Sequence, residues 1–228
     1  MKIGMIVAIP EEIDALLKEC GEPLGTVRIP GYEILHYKVG DNELFVAGSG
    51  AGEIASSSTT QLLITKFEVE KIINFGVVGG LTDEMSLSST CVIEKCVHYD
   101  FDASGFTQGD IRTIPGQYAQ FPDVYIPADP DLLKKAIEVA PELKPVICAS
   151  ADKFVADPDK KRELHEKFNA DICEMESAGI LLTAYRNHVP ALCIKAVSDS
   201  VEGGEEEFAN MVHEAAKTCV KVLMKVLN

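Results

Sequence analysis

The chain has 228 residues, of which 46% are hydrophobic and 25% are charged, and its formal net charge is −15. This length and composition are ordinary for a globular protein with one sizeable core. The excess of acidic residues argues against nucleic acid or an anionic membrane as a partner, because both bind basic surfaces. It does not exclude a small anionic ligand, since a site can be locally positive inside an acidic protein.

The N-terminal apolar run and the cysteines bear on where the protein works. The run at residues 3–9 is too short for a signal peptide, and Pro10-Glu11-Glu12 stands where a small-residue cleavage site is required. No window approaches the roughly 18 apolar residues of a membrane span. The seven cysteines are scattered, with no CxxC pair or zinc-type spacing to histidine. We therefore expect buried free thiols, a reducing compartment and a cytoplasmic location.

Short apolar runs alternate with amphipathic helical stretches along the chain. The predicted strands cover residues 3–9, 33–39, 43–48, 71–78, 90–99, 145–149, 170–173 and 191–198. The predicted helices begin at Pro10, after Gly50-Ala51-Gly52, at Asp129-Pro130, at Asp157-Pro158, at Glu176 and near the C-terminus. The two Asp-Pro pairs are typical of an N-cap followed by proline at the first helical position.

Residues 100–126 show no periodic pattern and are rich in Gly, Asp, Thr, Gln, Pro and aromatic residues. A stretch this long without structure is usually functional in a compact domain, or it marks a wrong assignment. Elsewhere strands and helices alternate without a linker. This alternation predicts one α/β domain over residues 1–228, built around a mixed sheet.

Acidic residues follow three of the predicted strands. Ligands of open α/β sheets bind beyond the carboxyl ends of the strands, where Glu12, Glu174, Glu176 and Asp199 lie. Each acid alone also fits a helix-surface, N-cap or first-turn position that the helix dipole favours. A carboxylate beside a buried strand is costly unless it is paired or functional. Their convergence favours glycosidic cleavage, which needs acids in two opposite protonation states.

Two glycine clusters also stand at strand ends, at residues 50–52 and 76–80. Neither fits the GxGxxG fingerprint or the P-loop, so we expect tight turns and no dinucleotide or nucleoside triphosphate. The five histidines form no HExxH motif, and no GxSxG elbow occurs. The sequence therefore predicts neither a cofactor nor a metal.

Eight segments carry the pattern of one family in the same order: MKIGMIVAIPEE, SGAGEIA, INFGVVGGL, HYDFDASGF, PGQ, SADKFV, CEMESAGI and KAVSDS. With them the chain resembles the 5′-methylthioadenosine/S-adenosylhomocysteine nucleosidases of the nucleoside phosphorylase superfamily. The resemblance implies a single-domain, three-layer α/β/α sandwich around a twisted mixed sheet. It also implies a homodimeric purine nucleosidase of methionine salvage that releases adenine from methylthioadenosine or S-adenosylhomocysteine.

The resemblance also implies roles for the acids. Asp199 would donate a proton to N7 of the adenine, with Ser198 holding its carboxyl group. Glu12 would accept a proton from the attacking water, and Glu176 would bind the ribose hydroxyls. The general acid needs a raised pKa, for which the apolar Cys193-Ile194 run is a candidate cause. Glu12 has to stay ionised, for which Lys195 is the candidate neighbour.

Further contacts with the nucleoside follow from the same resemblance. Phe154 would stack on the adenine, although plain core packing is the alternative for this ring. Phe106 and Pro115 would reach the 5′ pocket of a neighbouring subunit. The other implied contacts are Val155 at the adenine edge, Met175 at the ribose, and Ile9 and Ala51 on the sugar and 5′ side.

Three features depart from the family pattern. Val77 stands where a Ser or Thr hydroxyl is usual, and Lys195 replaces the usual Arg, which is not an equivalent exchange at a bidentate site. The loop at residues 107–114 is longer than usual. The first two departures leave room for a non-catalytic nucleoside-binding protein. A phosphorylase is the other alternative, but Pro10-Glu11-Glu12 and Asn74-Phe75 stand where arginines serve nucleotide-cleaving relatives, so hydrolysis is favoured.

Overall fold

The computed structural model describes residues 1–106 and 113–227, and all that follows concerns these ranges. Their strands are β1 Lys2–Val7, β2 Gly25–Ile29, β3 Tyr32–Val39, β4 Asn42–Gly48, β5 Lys71–Gly80, β6 Thr90–His98, β7 Tyr125–Pro127, β8 Lys144–Ser150, β9 Ile172–Glu174 and β10 Ala191–Asp199. Their helices are α1 Pro10–Cys20, α2 Glu53–Phe67, α3 Pro130–Val139, α4 Pro158–Phe168, α5 Ser177–Arg186 and α6 Glu205–Leu227.

The strands form one mixed sheet in the order β10-β6-β8-β9-β5-β1-β4-β3-β2, with β7 added to β6. β10 also pairs with β5, so β5, β10, β6, β8 and β9 close into a ring. β1 runs parallel to both β4 and β5, whereas β3 is antiparallel to β2 and β4. Helix α2 packs on α5, and α6 packs on α1 and α3, which gives a helix layer on each side of the sheet. The predicted α/β/α sandwich with a mixed sheet is confirmed.

Most element boundaries follow the prediction, with four differences. β1 ends at Val7 rather than at residue 9, because Ile9 is the extended N-cap of α1 and Pro10 begins that helix. β9 is displaced to Ile172–Glu174, and Glu176 is the N-cap of α5 instead of its first residue. β2 was not predicted. The described part of the irregular stretch contains turns, bends and segments without regular structure, and β7 begins near its end, at Tyr125.

The interior is apolar and thiol-rich. All seven cysteines are free, and all but the half-buried Cys20 are buried, as expected from their apolar neighbours. Asp129 and Asp157 accept backbone hydrogen bonds at the starts of α3 and α4, so both predicted Asp-Pro caps are confirmed. Among the described residues, no helix is long and apolar enough to span a membrane.

Candidate active site

Gly79, near the end of β5, is the glycine against which the Asp199 side chain packs. It pairs with Asp199 of β10 on one side and with Cys173 of β9 on the other. A Cβ atom at Gly79 would lie 3.0 Å from Asp199 Oδ2 and 3.1 Å from Cys173 Sγ, closer than ordinary van der Waals contact. The glycine therefore lets two strands bring the residues at their ends together.

Asp199 is 2% exposed and has a partner on each carboxyl oxygen. Lys161 Nζ donates to Oδ2 at 2.6 Å, and Ser198 Oγ lies 3.0 Å from Oδ1. Burial raises the pKa of Asp199, and Lys161 opposes that rise. Ser198 Oγ also lies 3.1 Å from the carbonyl of Val78, so it can donate there and accept from a protonated Asp199. The expected raised pKa is present, but sequence analysis looked only to apolar surroundings and missed Lys161.

Glu12 is buried in the first turn of α1, and its carboxylate accepts three backbone hydrogen bonds. Oε2 accepts from Ala8 N at 3.0 Å and from Ile9 N at 3.2 Å. Oε1 accepts from Val77 N at 2.9 Å. Burial raises the pKa of Glu12, while Lys195 and these N–H groups oppose the rise. Three N–H donors favour the ionised carboxylate, which is the form that a general base needs.

Glu176 stands directly before α5 and is held by the glycine turn before α2. Its Oε1 accepts a hydrogen bond from Gly52 N at 2.9 Å. Burial, followed by the charge of Glu174, raises the pKa of Glu176 to about 7, against the attraction of Lys195. Glu12 adds to the rise. The carboxyl groups of Glu12 and Glu176 therefore share one electrostatic environment.

Lys195 is the cation of this cluster, and its direct partner is Glu174. Its Nζ lies 3.0 Å from Glu174 Oε2, and both side chains are buried. Burial alone would lower the pKa of Lys195. The negative charges around it, that of Glu174 above all, instead raise this pKa well beyond its ordinary range. Glu174 further accepts from the backbone N and Oγ of Ser177. Lys195 is therefore ion-paired with Glu174, and its charge also favours the ionised form of Glu12, as was expected of this neighbour.

Sequence analysis missed Glu53, another buried carboxyl group in the cluster. It opens α2, and such a position is typical of a first-turn acid favoured by the helix dipole. Its Oε1 lies 2.5 Å from Ser150 Oγ, and its Oε2 accepts from Gly179 N. Burial, followed by the charge of Glu174, raises the pKa of Glu53 to about 9. This raised pKa favours the neutral form of Glu53 near pH 7, with the Ser150 hydroxyl as a donor to Oε1.

The raised pKa of Glu53 predicts how stability depends on pH. The unfolded chain ionises Glu53 near the ordinary value of 4.5, whereas the folded protein keeps its proton to about pH 9. A rise in pH through this window therefore lowers the free energy of unfolding. Glu53→Gln keeps the neutral hydrogen-bonding pattern and removes the loss. We expect its Tm to exceed the wild-type Tm by about 10 °C at pH 8 and to match it near pH 4, because a shift of this size is worth several kcal/mol.

Thermal denaturation at both pH values measures this effect, and Glu166→Gln is the matched control. Glu166 is exposed on α4, so the same substitution there should leave the pH dependence unchanged. A Glu53→Gln protein that is less stable than wild type at pH 8 would show that Glu53 is ionised in the fold.

The remaining sequence-predicted residues lie around these acids. Ile9 is half-buried before α1, and Ala51 is exposed beside the Gly52 that binds Glu176. Val77 contributes its backbone N–H to Glu12, a contact that needs no side-chain hydroxyl. The usual Ser or Thr is therefore not required for this interaction.

A narrow crevice joins the adenine-side residues to Asp199 and Glu174, and neither Glu12 nor Glu176 lines it. Phe154, Val155 and Met175 line it together with Gly79 and Asp199, and its volume is about 30 Å³. Phe154 is 50% exposed, and its ring meets the edge of Phe208 at 5.4 Å between centroids, so it is not a core residue. A drug-sized ligand occupies roughly 300 Å³ or more, so this crevice has to widen to admit a nucleoside.

Phe106 and Pro115 lie outside the acid cluster of their own chain. Phe106 is 66% exposed, and Pro115 is exposed as well. Neither contributes to the crevice at Asp199. The predicted long loop at residues 107–114 lies mostly outside the described residues.

The charged groups of the site are carboxylates and lysines. Of the arginines that the structure describes, Arg28 and Arg162 form exposed ion pairs with acids, and Arg186 is exposed on α5. The fourth, Arg112, lies outside the described residues. Within residues 1–106 and 113–227, no group of three or more His, Cys, Asp or Glu side chains is arranged to hold a metal ion. The described site therefore offers acid and base chemistry.

Comparison with known proteins identifies the family of this arrangement. The model of the phosphorylase superfamily matches residues 2–228. The chain belongs to this superfamily. It is 31% identical over 232 residues to the aminodeoxyfutalosine nucleosidase of Campylobacter jejuni, a match that covers 99% of this chain and 98% of that protein. It is 32% identical over 206 residues to the 5′-methylthioadenosine/S-adenosylhomocysteine nucleosidase of Shewanella frigidimarina, covering 88% and 86% of the two chains.

A solved structure gives the same family. The 5′-methylthioadenosine/S-adenosylhomocysteine nucleosidase of Helicobacter pylori, complexed with a pyrrolo[3,2-d]pyrimidine-bearing pyrrolidine, superposes with a TM-score of 0.91 at 27% identity. The match covers 100% of this chain and 97% of that one. Within the phosphorylase superfamily, the chain is thus a member of the nucleosidase family, whose reaction is N-glycosyl hydrolysis.

Proposed function

We propose that the protein hydrolyses the N-glycosidic bond of a 5′-modified adenosine and releases free adenine. The observation that carries this proposal is the placement of two buried acids, Asp199 and Glu12, along the last residues of β5. Asp199 pairs with Gly79, and Glu12 binds the backbone of Val77, about 7 Å away along the strand. Glu176 shares the electrostatic environment of Glu12. One nucleoside can therefore meet all three acids.

In the proposed reaction, the two acids act in opposite protonation states. The O–H bond of Asp199 breaks as N7 of the purine takes the proton, and the electrons of the C1′–N9 bond leave with the base. Water attacks C1′ and gives its proton to Glu12, while Glu176 binds the ribose hydroxyls. The enzyme loses one proton at Asp199 and gains one at Glu12, so exchange with solvent restores the starting state.

The supporting contacts fit this division of roles. Burial disfavours the ionised form of Asp199, which suits a proton donor. Three backbone N–H groups hold Glu12 as an acceptor. Phe154, Val155 and Met175 lie at the crevice beside Asp199, where an adenine ring would bind. We propose that each site residue named in the sequence analysis has the role that the family resemblance implies for it.

Water rather than phosphate is the proposed nucleophile that attacks the sugar. Carboxyl groups of Glu12, Glu174 and Glu176 surround the ribose side, and Lys195 is already paired with one of them. A phosphate ion would meet net negative charge there, and it would find no guanidinium group among the described residues of the cluster. The same residues favour hydrolysis over phosphorolysis.

Four further features complete the proposal. The relatives act on methylthioadenosine, S-adenosylhomocysteine or aminodeoxyfutalosine according to their names, so the 5′ substituent of the substrate is drawn from these. The exposed Phe106 and Pro115 support a homodimer in which they reach a neighbouring subunit. The free thiols support a cytoplasmic location, and the continuous sheet supports one domain over residues 1–228.

A product assay tests the proposed function. Methylthioadenosine, S-adenosylhomocysteine, aminodeoxyfutalosine and unmodified adenosine are incubated with the enzyme, with and without inorganic phosphate. We expect free adenine from at least one 5′-modified nucleoside, at the same rate in both conditions, because water is the nucleophile. Chromatography of the purine and sugar products measures this. Adenine release that requires phosphate, with a sugar 1-phosphate as product, would establish a phosphorylase instead.

A further inference from the structure

Lys161 is a buried lysine in a segment that otherwise faces solvent. It belongs to Asp159-Lys160-Lys161-Arg162 on α4, whose other three members are exposed. The Lys161 side chain is 0% exposed, and its ammonium group has three acceptors. Nζ lies 2.6 Å from Asp199 Oδ2, 2.5 Å from the carbonyl of Ser200 and 2.9 Å from the carbonyl of Gly203.

This burial is costly, so the contacts of Lys161 require an explanation. Removing an ammonium group from water costs several kcal/mol, and lysine is almost never fully buried unless it is paired. Two of the three acceptors belong to the loop that directly follows Asp199. Lys161 therefore binds both the carboxyl group and the backbone on its C-terminal side, which fixes Asp199 from outside the crevice.

Other charged groups near Asp199 are engaged elsewhere or are negative. Glu207 of α6 opposes the ionisation of Asp199, and it accepts from the backbone N and Oγ of Ser200. Lys153, which lines the crevice, lies 3.5 Å from an oxygen of Asp100. Glu174 lines the crevice too and is paired with Lys195. Cys173 of β9 supplies an apolar thiol beside the carboxyl group.

We propose that Lys161 is a positioning residue for the general acid: it fixes the Asp199 carboxyl group and neutralises the carboxylate that proton donation leaves behind. This proposal rests on the proposed function. Once the Asp199 proton has moved to N7, an unpaired carboxylate would remain in a buried site at high cost. The ammonium group at 2.6 Å stabilises that product.

Charge removal at Lys161 tests the proposal. Lys161→Gln and Lys161→Met remove the charge, and the glutamine retains donors for the loop carbonyls. A general acid loses its proton, and with it its activity, as the pH rises through its pKa. Without the ammonium group of Lys161, Asp199 should keep its proton to a higher pH. We expect the alkaline limb of kcat/KM to move up by about one to three pH units, and the plateau kcat to fall at least tenfold. Lys161→Arg keeps the charge and should hold the limb near its wild-type position.

Lys160→Gln is the matched control, because Lys160 is the adjacent exposed lysine paired with Glu163. Its pH profile should equal that of wild type. Thermal melts confirm that each variant is folded. A folded Lys161→Gln protein whose alkaline limb stays in place would overturn the proposal, even if its rate fell, because a merely structural lysine lowers activity without moving the limb.

A second measurement separates this proposal from the proposed function. The carboxyl resonance of Asp199, followed by ¹³C NMR in the full chain and assigned with Asp199→Asn, gives the titration midpoint without turnover. We expect Lys161→Gln to raise that midpoint. If the wild-type enzyme released no adenine, the proposed function would fail, while the titration would still decide the role of Lys161.

Discussion

Asp199→Asn is expected to slow adenine release by about 10²- to 10⁴-fold, because an amide cannot donate the proton that the leaving purine needs. The shape of the side chain is kept, and the amide oxygen can still accept from Lys161, whose Nζ lies 2.6 Å from Oδ2 in the wild type. The protein should therefore remain folded. Single-turnover measurements of adenine, with saturating nucleoside, isolate the chemical step from binding and release.

A measurement of nucleoside binding by the same variant completes this experiment. Isothermal titration with the same nucleoside is expected to show that Asp199→Asn still binds, since most contacts are unchanged. Asp159→Asn, at an exposed position on α4, is the control and should behave as wild type. A protein that binds nucleosides without catalysis would show no difference between Asp199→Asn and wild type in any assay. Equal adenine release by the two proteins would remove Asp199 from the mechanism.

Glu12→Gln is the second large effect, with an expected loss of about 10²- to 10⁴-fold in kcat. The wild-type carboxylate receives backbone N–H groups on both oxygens, and the glutamine amide can accept on only one. The variant therefore cannot take a proton from water, and it also places an NH₂ group against an N–H donor. We expect a destabilisation of about 1–3 kcal/mol in addition to the loss of rate. Denaturant unfolding and steady-state kinetics measure the two effects.

Glu11→Gln is the control for this substitution because Glu11 is the neighbouring acid in the same helical turn. Its expected rate is that of wild type. The assignment of Glu12 as general base would be wrong if Glu12→Gln kept its rate after correction for the folded fraction.

The secondary structure was predictable where apolar pattern and turn chemistry agree. β5 and β10 are mostly apolar runs, and both Asp-Pro pairs begin helices. β2 was missed because Gly25–Ile29 is short, carries an arginine and is mostly exposed. The three-residue β9 was displaced because so short a strand is fixed by its partners, β5 and β8, rather than by its own residues.

A shared cleft for Glu12, Glu176 and Asp199 stays a prediction, and the placement of Asp199 has a cause that was not predicted. Sequence analysis assumed that the carboxyl ends of the strands meet at one edge of the sheet. β10 runs parallel to β5, whereas β9 runs antiparallel to it. Asp199 of β10 and Cys173 of β9 come together because both strands pair with Gly79 of β5. Pairing of this kind depends on the closed ring of strands and leaves no local signal in the sequence.

Glu53 and Lys161 were missed for a different reason. Both occur among residues that are typical of exposed helix surfaces, and their burial depends on contacts with distant segments. Glu53 is buried against Ser150 and Gly179, about 100 or more positions away in sequence. Lys160 and Lys161 are chemically identical neighbours, and only tertiary packing buries one of them. Side-chain charge alone cannot distinguish the two.

The narrowness of the crevice beside Asp199 bears on how tightly any ligand can bind. With about 30 Å³ between Phe154, Met175 and Asp199, the conformation described here excludes a purine ring. The observed dissociation constant then equals the intrinsic constant divided by the fraction of molecules in an open form. If that fraction were about 1%, every nucleoside would lose about a hundredfold in apparent affinity. Substitutions that widen this crevice would tighten the binding of all nucleosides equally, without one new contact to any of them.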